Sequence, residues 1–358
     1  MQHRVWAEIH ASAAKHNLAA VKKLTPSAKL MAVLKADAYG HGQQFMANTF
    51  DNGIDAIAIA TIEEGVRLRE LGCIQPIVCL SGLIDPTQLA LCTLHNITPT
   101  FYQPEQLQWL AAYEGEIKDS WVKINTGMNR LGFEIDQVDA VVKQVTASCS
   151  GTVGIMSHFA NADTPDDPHN DYQISRFTSA IKPFSDAAFS MANSAAVLKL
   201  PHSHYDWVRP GVVLYGASPF AEHTAGDLGL RAVMYLKSSL ISCYSISEDD
   251  RVGYGGIWAA KDTTRIGVVS AGYADGYPRN VSDEAYVLIN QQSAPIIGRV
   301  SMDTLAVDLS SLDDCKTGDD VELWGEQLSV DTVAKWAGTI GYELLCKVGQ
   351  RVARINID

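Results

Sequence analysis

The sequence lacks a hydrophobic run that could cross a membrane, since no segment approaches the roughly 20 apolar residues that a membrane-spanning helix needs. Its first residues, MQHRVWAEIHASAAKHNLAAVKK, also lack an apolar core of signal-peptide length. The seven cysteines are odd in number and include no C-x-x-C pair, which indicates reduced thiols in a protein without an export signal. We therefore expect a cytoplasmic protein with no membrane partner, and we assign no metal ligands.

Positive charge is also scarce. The chain has 28 Lys and Arg against 41 Asp and Glu, which gives a formal net charge of −13. Nucleic acids and anionic membranes need a basic face, so neither is expected as the main partner. An anionic small molecule would have to be held by a local cluster of cations or by helix N-termini inside a cleft.

Repeats of fixed period and low-complexity segments are absent, and 358 residues leave room for about two domains. Up to about residue 225, strand-like and helix-like segments alternate. The predicted strands are 29–35, 55–60, 76–80, 97–102, 120–125, 152–159, 189–193 and 204–209.

Several of these strands are almost continuously apolar, as in a parallel sheet that is buried on both faces. Eight strand–helix units predict an α/β fold, with an N-terminal (β/α)8 barrel over residues 1–225. A doubly wound open sheet is the alternative. We disfavour it because no glycine-rich dinucleotide-binding turn follows the first strand.

From residue 226 to residue 358 the pattern changes. Segments such as 231–246, 265–271 and 319–324 alternate in polarity or run β-branched, with Gly and Asp turns between them. One helix is predicted near 330–338. This pattern predicts a mostly-β C-terminal domain.

The first predicted strand ends in an unusual polar stretch, AVLKADAYGHG, which puts Lys35 at its carboxyl end. In barrel enzymes this end of the strands lines the active site. A lysine that is desolvated there can lose its proton and form a Schiff base with a carbonyl compound. The alternative is a lysine whose aliphatic stem lies along apolar surface and whose amine is solvated.

Four later strands also end in polar stretches. Lys123 and Arg130 lie in KINTGMNRLGF after the fifth strand, and His158 lies in SHFANAD after the sixth. Taken alone, Arg130 could be a solvated surface residue and His158 a structural one. After strands seven and eight, hydroxyl and backbone N–H groups suited to a phosphate come from Ser194, Gly211 and Val212. An amine and a phosphate site are the two features that pyridoxal phosphate needs.

The C-terminal domain contains four glycine-rich clusters with tyrosine or charged residues: GYGG, AGYADGYPR, GRVSMD and GYE. A tyrosine beside a glycine can be strand-end packing. Four such clusters in one small domain are more than packing alone explains, so we expect a functional role for this domain as well.

Together these stretches resemble the bacterial alanine racemases over essentially the whole chain. AVLKADAYGHG is similar to the family's pyridoxal-phosphate attachment motif, and further similar blocks follow in the family's order: KINTGMNRLGF, SHFANAD, VRPGVVLYG, GYADGYPR and GRVSMD. The resemblance implies an isomerase that interconverts L-alanine and D-alanine with pyridoxal 5′-phosphate. It also implies a homodimer with shared active sites, which supplies D-alanine for peptidoglycan or serves alanine catabolism.

The resemblance also implies roles for single residues. Lys35 would carry the cofactor and act as the base on the D face of the external aldimine, and Tyr254 of the partner subunit would act on the L face. Arg209 would face the pyridine nitrogen, and His158 would support the tyrosine through a hydrogen bond. Lys123 matches a lysine that is carbamylated in some members.

The remaining matches fall into two groups. The residues that match the family's phosphate site are Tyr39, Ser194, Gly211, Val212 and Tyr342. The residues that match its substrate-carboxylate site and its entrance are Arg130, Met302, Asp303 and Tyr273.

The chemistry gives an independent reason for two bases. Racemisation removes a proton from one face of Cα and returns one to the other, and two fixed bases avoid the movement of a single base across the substrate. Lysine and tyrosine have reference pKa values of about 10, so each must be poised to act near neutral pH. A permanently cationic Arg209 discourages protonation of the pyridine nitrogen, and we expect it to limit transamination.

Three alternatives compete with this interpretation. A pyridoxal-phosphate decarboxylase of basic amino acids shares the fold, but its expected cysteine-and-aspartate substrate signature is missing. A broad-specificity racemase is typically exported, and no signal segment is present. A cofactor-carrying protein without catalysis would need only the barrel, which leaves Tyr254 and Met302 unexplained.

Overall fold

The computed structural model describes residues 4–358, so residues 1–3, where the first predicted domain begins, lie outside the described part. The strands of the first half of the chain are β1 (Val5–His10), β2 (Lys29–Val33), β3 (Ala56–Ile59), β4 (Ile77–Cys79), β5 (Ile97–Thr98), β6 (Thr100–Phe101), β7 (Ser120–Lys123), β8 (Val153–Met156), β9 (Phe189–Ser190) and β10 (Trp207–Val208). Those of the second half are β11 (Met234–Ile246), β12 (Arg251–Val252), β13 (Trp258–Ala259), β14 (Thr264–Val269), β15 (Tyr286–Ile289), β16 (Gln292–Ile297), β17 (Leu305–Asp308), β18 (Asp320–Trp324) and β19 (Ala353–Ile357).

The right-handed helices alternate with strands in the first half of the chain and are few in the second. They are α1 (Ala11–Leu24), α2 (Gln43–Phe50), α3 (Ile62–Glu70), α4 (Gln88–His95), α5 (Pro104–Ala112), α6 (Val138–Ser148), α7 (Pro168–Ile181), α8 (Ser194–Lys199), α9 (Val330–Trp336) and α10 (Gly341–Lys347). In the described residues, no helix is both long enough and apolar enough to span a membrane.

Contacts between Cα atoms group the chain into two compact units. The barrel unit consists of Leu18–Ala38 and Gln43–Leu214. The β unit consists of residues 4–17, Tyr39–Gly42 and Tyr215–Asp358. The division into domains 1–225 and 226–358 stays a prediction.

The barrel unit is built on parallel strands in the order β5-β4-β3-β2-β10-β9-β8-β7-β6. The strands β5 and β6 follow each other in the chain with only Pro99 between them, so the two ends of this order meet. Proline has no N–H group for a ladder, which explains why the strand pairing changes from β4 to β7 at this residue. The interrupted strand therefore counts as one of eight, and the (β/α)8 prediction is confirmed.

Burial in the barrel unit follows the sequence pattern. All four residues of β3 and of β8 are buried, as expected for strands covered on both faces. Helix α6 buries Val138, Val141, Val142 and Val145, which is the spacing of one helical face. Each such side chain stabilises the fold by roughly 1.5–3 kcal/mol relative to an exposed one.

The β unit contains one eight-stranded sheet in the order β14-β17-β16-β15-β18-β11-β1-β19. An additional pairing of β14 with β11 closes six of these strands into a ring. The strand pairs of this sheet are antiparallel except for β1 with β19. The predicted mostly-β domain is therefore confirmed, and it includes an N-terminal strand that was not predicted.

Candidate active site

The predicted cofactor lysine stands immediately beyond a buried strand. Strand β2 ends at Val33, Leu34 is fully buried, and Lys35 is exposed. The residues that follow adopt left-handed helical geometry, with φ and ψ near 50° at Ala36, Asp37 and Ala38. For residues other than glycine this geometry costs roughly 1–2 kcal/mol per residue, so neighbouring groups must hold it in place.

Two carboxylates hold the left-handed turn inside the barrel unit. The Oε1 atom of Glu64 accepts from the N–H group of Ala36 over 2.7 Å, and its Oε2 atom accepts from Ala60 over 2.8 Å. The Oδ1 atom of Asp37 accepts from the N–H group of Gln43 over 2.8 Å. Because Ala36 is the next residue after Lys35, these bonds also position the lysine.

Arg209 is buried in the barrel unit and donates to acceptors in β9 and just after the end of β8. Its Nη2 atom donates to the carbonyl of Ser157 over 2.6 Å and to Nδ1 of His158 over 3.3 Å, and its Nη1 atom donates to Oγ of Ser190. The guanidinium is thus fixed beside the predicted histidine. Burial lowers the pKa of Arg209 to about 10, so it stays cationic at neutral pH.

The environment keeps His158 neutral. Burial lowers its pKa well below the usual value, and the positive charges of Arg209, Lys123, Arg130 and Lys35 lower it further. Since Nδ1 accepts from Arg209, the proton of the neutral ring lies on Nε2, which is then a donor. A neutral histidine that carries its proton on Nε2 can donate a hydrogen bond from this atom, as the predicted role in support of the tyrosine requires.

Lys123 lies at the end of β7 and is buried. Burial, followed by the charges of Arg209, Arg130 and Lys35, lowers its pKa to about 7. A small cavity of the barrel unit is lined by Lys123, Arg130 and His158 among others. The structure thus brings these three predicted residues together.

The segment that carries Arg130 leaves the barrel and returns to it. The N–H group of Phe133 donates to the carbonyl of Lys123 over 2.9 Å, and Asn125 donates to Phe133 over 2.8 Å. Gly132 has φ +130°, and a Cβ atom there would lie 2.7 Å from the nitrogen of Asn125. Only glycine fits this close return.

The predicted phosphate residues of the barrel unit also lie together. The N–H group of Gly211 donates to Oγ of Ser194 over 2.8 Å, and both residues are buried. Val212 opens a 3-10 turn, so its N–H group has no acceptor within that turn. Hydroxyl and N–H donors here suit an anion.

Two further predicted phosphate residues, Tyr39 and Tyr342, lie in the β unit with their ring centroids 6.1 Å apart. Tyr39 is buried, and its ring lies 4.9 Å from that of Tyr215. Burial, with smaller contributions from Tyr342 and Cys346, raises the pKa of Tyr39. The phenol therefore keeps its proton and can act as a hydrogen-bond donor.

The other predicted residues of the β unit stand on exposed turns. Tyr254 lies in the turn Tyr254–Gly256 and is 69% exposed, Met302 is 52% exposed, and Tyr273 is 40% exposed. Large apolar surfaces that remain exposed at predicted functional positions indicate contact with another molecule. These residues belong to the β unit, whereas Lys35 belongs to the barrel unit.

The barrel residues fit a phosphorylated aldehyde such as pyridoxal phosphate. The charges that act on His158 are all cations, in a chain whose formal net charge is −13. An exposed amine at Lys35, donors at Ser194 and Val212, and a fixed cation at Arg209 match the carbonyl, phosphate and ring of that cofactor. These residues of the barrel unit therefore fit pyridoxal phosphate, the cofactor that the sequence predicts.

Sequence reasoning missed several supporting residues. Ser157 and Ser190 hold Arg209, and Glu64 holds the turn after Lys35. For Glu64 a signal was available, because Thr61 and Glu64 form a capping box at the start of α3. For the two serines, nothing in the sequence pattern identifies Arg209 as their partner.

Comparison with known proteins places this geometry in a family context. Residues 9–219 match the family model described as alanine racemase, N-terminal domain, and residues 233–356 match the alanine racemase C-terminal domain. An alanine racemase of Legionella pneumophila (strain Corby) is 41% identical over 351 residues, covering 96% of this chain and 97% of the relative. One of Nitrosomonas eutropha is 42% identical over 363 residues, with 100% coverage of both chains.

Two solved structures of alanine racemases are also similar to this chain. The biosynthetic alanine racemase of Pseudomonas aeruginosa matches with a TM-score of 0.96 and 39% identity, covering 100% of both chains. The alanine racemase of Acinetobacter baumannii matches with a TM-score of 0.93 and 37% identity, covering 99% of this chain and 100% of the other.

Proposed function

The chain belongs to the alanine racemase family and is a racemase, and we propose that it interconverts L-alanine and D-alanine by proton transfer between two bases on opposite faces of Cα. The observation that carries the proposal is the group of Lys35, Arg209 and neutral His158 at one end of the barrel strands. We further propose that the reaction supplies D-alanine for peptidoglycan or serves alanine catabolism.

Pyridoxal 5′-phosphate is the proposed cofactor, and when bound it supplies an electron sink that makes the Cα proton of the amino acid removable. Lys35 would hold it covalently. Ser194, Gly211, Val212, Tyr39 and Tyr342 would hold its phosphate. The lysine amine can form the covalent bond, and the hydroxyl and backbone N–H groups of the other residues can donate hydrogen bonds to a phosphate.

Lys35 is the proposed base on the D face, and Tyr254 the proposed base on the L face. The hydrogen bond from the N–H group of Ala36 to Glu64 holds the backbone next to Lys35 in place. His158 would donate from Nε2 to the phenolate of Tyr254 and so favour the ionised tyrosine. Arg209 would present a cation to the pyridine nitrogen and oppose its protonation.

We propose that the partner subunit supplies Tyr254, Met302 and Asp303, so that the active unit is a homodimer. The support is the exposure of these turns, with 69% for Tyr254 and 52% for Met302. Arg130, Met302 and Asp303 would contact the substrate carboxylate, and Tyr273 would narrow the entrance.

The experiment combines cofactor mapping with isotope exchange. Borohydride reduction of the loaded protein, followed by peptide mapping, should fix the cofactor to Lys35. The variant Y254F should lose racemisation by about a thousandfold or more, while it still exchanges the Cα proton of D-alanine in D2O, because Lys35 remains. The control Y244F removes a hydroxyl from a tyrosine that is 49% exposed in β11, and should racemise normally.

Two results would contradict the proposal. One is attachment of the cofactor at a lysine other than Lys35. The other is loss of exchange from both enantiomers in Y254F, which would mean that the two faces are not served by separate bases.

A further inference from the structure

Two turns of the β unit carry residues predicted to contact the substrate, and the backbone joins them. The N–H group of Tyr273 donates to the carbonyl of Ser301 over 3.1 Å, and that of Ala274 donates to Met302 over 3.0 Å. The second turn is closed by a bond of 2.8 Å from Ser301 to Thr304. The turns Tyr273–Asp275 and Ser301–Thr304 therefore form one assembly, which we call the paired turns.

The paired turns approach so closely that no side chain fits between them at Gly272. A Cβ atom on this residue would clash with the carbonyl oxygens of Ser301 and Met302. Close backbone approach makes the position of Tyr273 depend on that of Met302 and Asp303.

One arginine from the C-terminal segment bridges the paired turns. The Nε atom of Arg351 lies 2.7 Å from Oδ1 of Asp275, and its Nη2 atom lies 2.8 Å from Oδ1 of Asp303. Asp275 uses its second oxygen to accept from the N–H group of Gly272 over 2.9 Å. The guanidinium thus contacts one carboxylate in each turn.

The two ion pairs differ in burial. The side chain of Asp275 is 3% exposed, whereas those of Asp303 and Arg351 are each 44% exposed. A buried carboxylate that loses its cation is left without compensation, while an exposed pair by itself contributes little. The Asp275 contact therefore anchors Arg351, and the anchored guanidinium then orients Asp303.

We propose that Arg351 is a positioning residue for substrate binding, because it bridges Asp275 and Asp303 and so fixes the paired turns that carry Tyr273, Met302 and Asp303. This inference rests on the proposed function, in which those residues contact the substrate carboxylate. Arg351 does not itself touch the substrate.

Charge explains why the bridge matters. A carboxylate at position 303 would repel the carboxylate of alanine if it were free to turn towards it. The ion pair with Arg351 compensates the charge of the Asp303 carboxylate and fixes its orientation. Lysine is a poor substitute, since a single ammonium cannot make two directed contacts at fixed geometry as a guanidinium does.

The test compares R351Q and R351K with the control R265Q. Arg265 is a half-buried arginine of the same unit whose guanidinium donates to the carbonyls of Leu312 and Asp313 over 2.8 and 3.1 Å, away from the paired turns. In R351Q the KM for alanine should rise by about 5- to 20-fold while kcat changes by less than about twofold. R351K should lie between R351Q and the wild type, and R265Q should match the wild type.

A second readout does not depend on alanine. Hydrogen–deuterium exchange at the N–H groups of Tyr273 and Ala274 should become faster in R351Q by about tenfold or more, and should not change in R265Q. Proportional loss of kcat with an unchanged KM would overturn the proposal, as would unchanged exchange at both residues. If the wild type fails to racemise alanine but exchange rises in R351Q, the proposed function fails while the bridging role of Arg351 stands.

Discussion

Arg209 donates from Nη2 to Nδ1 of His158 over 3.3 Å, and this bond sets the proton on the other ring nitrogen. Burial is the main cause of the lowered pKa of His158, and among the neighbouring positive charges the guanidinium of Arg209 contributes most. Arg209 therefore fixes the tautomer of the histidine and adds to the effect of burial in keeping it neutral.

Replacement of Arg209 tests its proposed effect on side reactions. R209E puts a carboxylate where the ring nitrogen is expected, which would favour a protonated ring and a deeper electron sink. We expect the ratio of transamination to racemisation to rise about tenfold, equivalent to about 1.4 kcal/mol between the two barriers. Pyruvate formation and polarimetry measure the ratio, and R209K, which keeps the cation, is the control. If R209E has the same ratio of transamination to racemisation as the wild type, Arg209 does not suppress transamination.

Lys123 should make stability depend on pH. Its pKa is lowered from 10.5 to about 7 in the fold, so between these values the unfolded chain binds a proton that the folded protein does not. Stability therefore rises with pH across this window, and the cost of burying the charged amine is greatest below about pH 7. We expect the free energy of unfolding, measured by urea titration in CO2-free buffer, to rise less between about pH 7 and pH 10 in K123M than in the wild type. Parallel pH profiles for the two proteins would count against it.

The same amine is a candidate for carbamylation. A lysine with a pKa of about 7 is largely neutral at slightly alkaline pH and can attack CO2. The product would be an anion beside the cations of Arg130 and Arg209, which favours it. With 13C-labelled CO2 we expect a carbamate resonance that is absent in K123M. Its absence from the wild type under saturating CO2 would leave Lys123 a free amine.

The left-handed turn after Lys35 should be strained at Ala36, which has φ 53° and ψ 51°. Glycine tolerates this geometry, and Ala36 is exposed, so A36G leaves no cavity. We expect A36G to raise the free energy of unfolding by up to about 1 kcal/mol, because relief of about 1–2 kcal/mol of strain exceeds the entropy lost by glycine. A36V, with a β-branched side chain, should lower it. Urea titration distinguishes the two, and a destabilised A36G would show that the turn carries little strain.

Glu64 should matter more than its half-buried position near the start of α3 suggests. E64A removes the acceptor for Ala36 and for Ala60, and with it the capping box of α3. We expect a loss of about 1–2 kcal/mol in stability and a weaker retention of the cofactor at Lys35, measured by absorbance after dialysis. E70A, at the exposed end of the same helix, is the control. Equal retention of the cofactor in E64A and E70A would show that Glu64 does not affect cofactor binding at Lys35.

Much of the fold could be predicted because it depends on local patterns. Apolar runs placed all eight barrel strands, and the interrupted strand at Pro99 falls within the predicted segment 97–102. The strand β1 was missed although its burial alternates, because its partners β11 and β19 lie far along the chain. Short strands with distant partners have weak local signals.

The sequence alone determined the parallel barrel, the β unit and the chemical types of the candidate site residues, since apolar periodicity and motif order are local properties. Tertiary structure decided the rest. A run of left-handed residues at Ala36, Asp37 and Ala38 is not favoured locally, and tertiary hydrogen bonds, including those accepted by Glu64 and Asp37, hold it in place. The pKa of Lys123 and the pairing of Arg351 with Asp303 depend on charges brought together by folding, and no pattern along the chain encodes those distances.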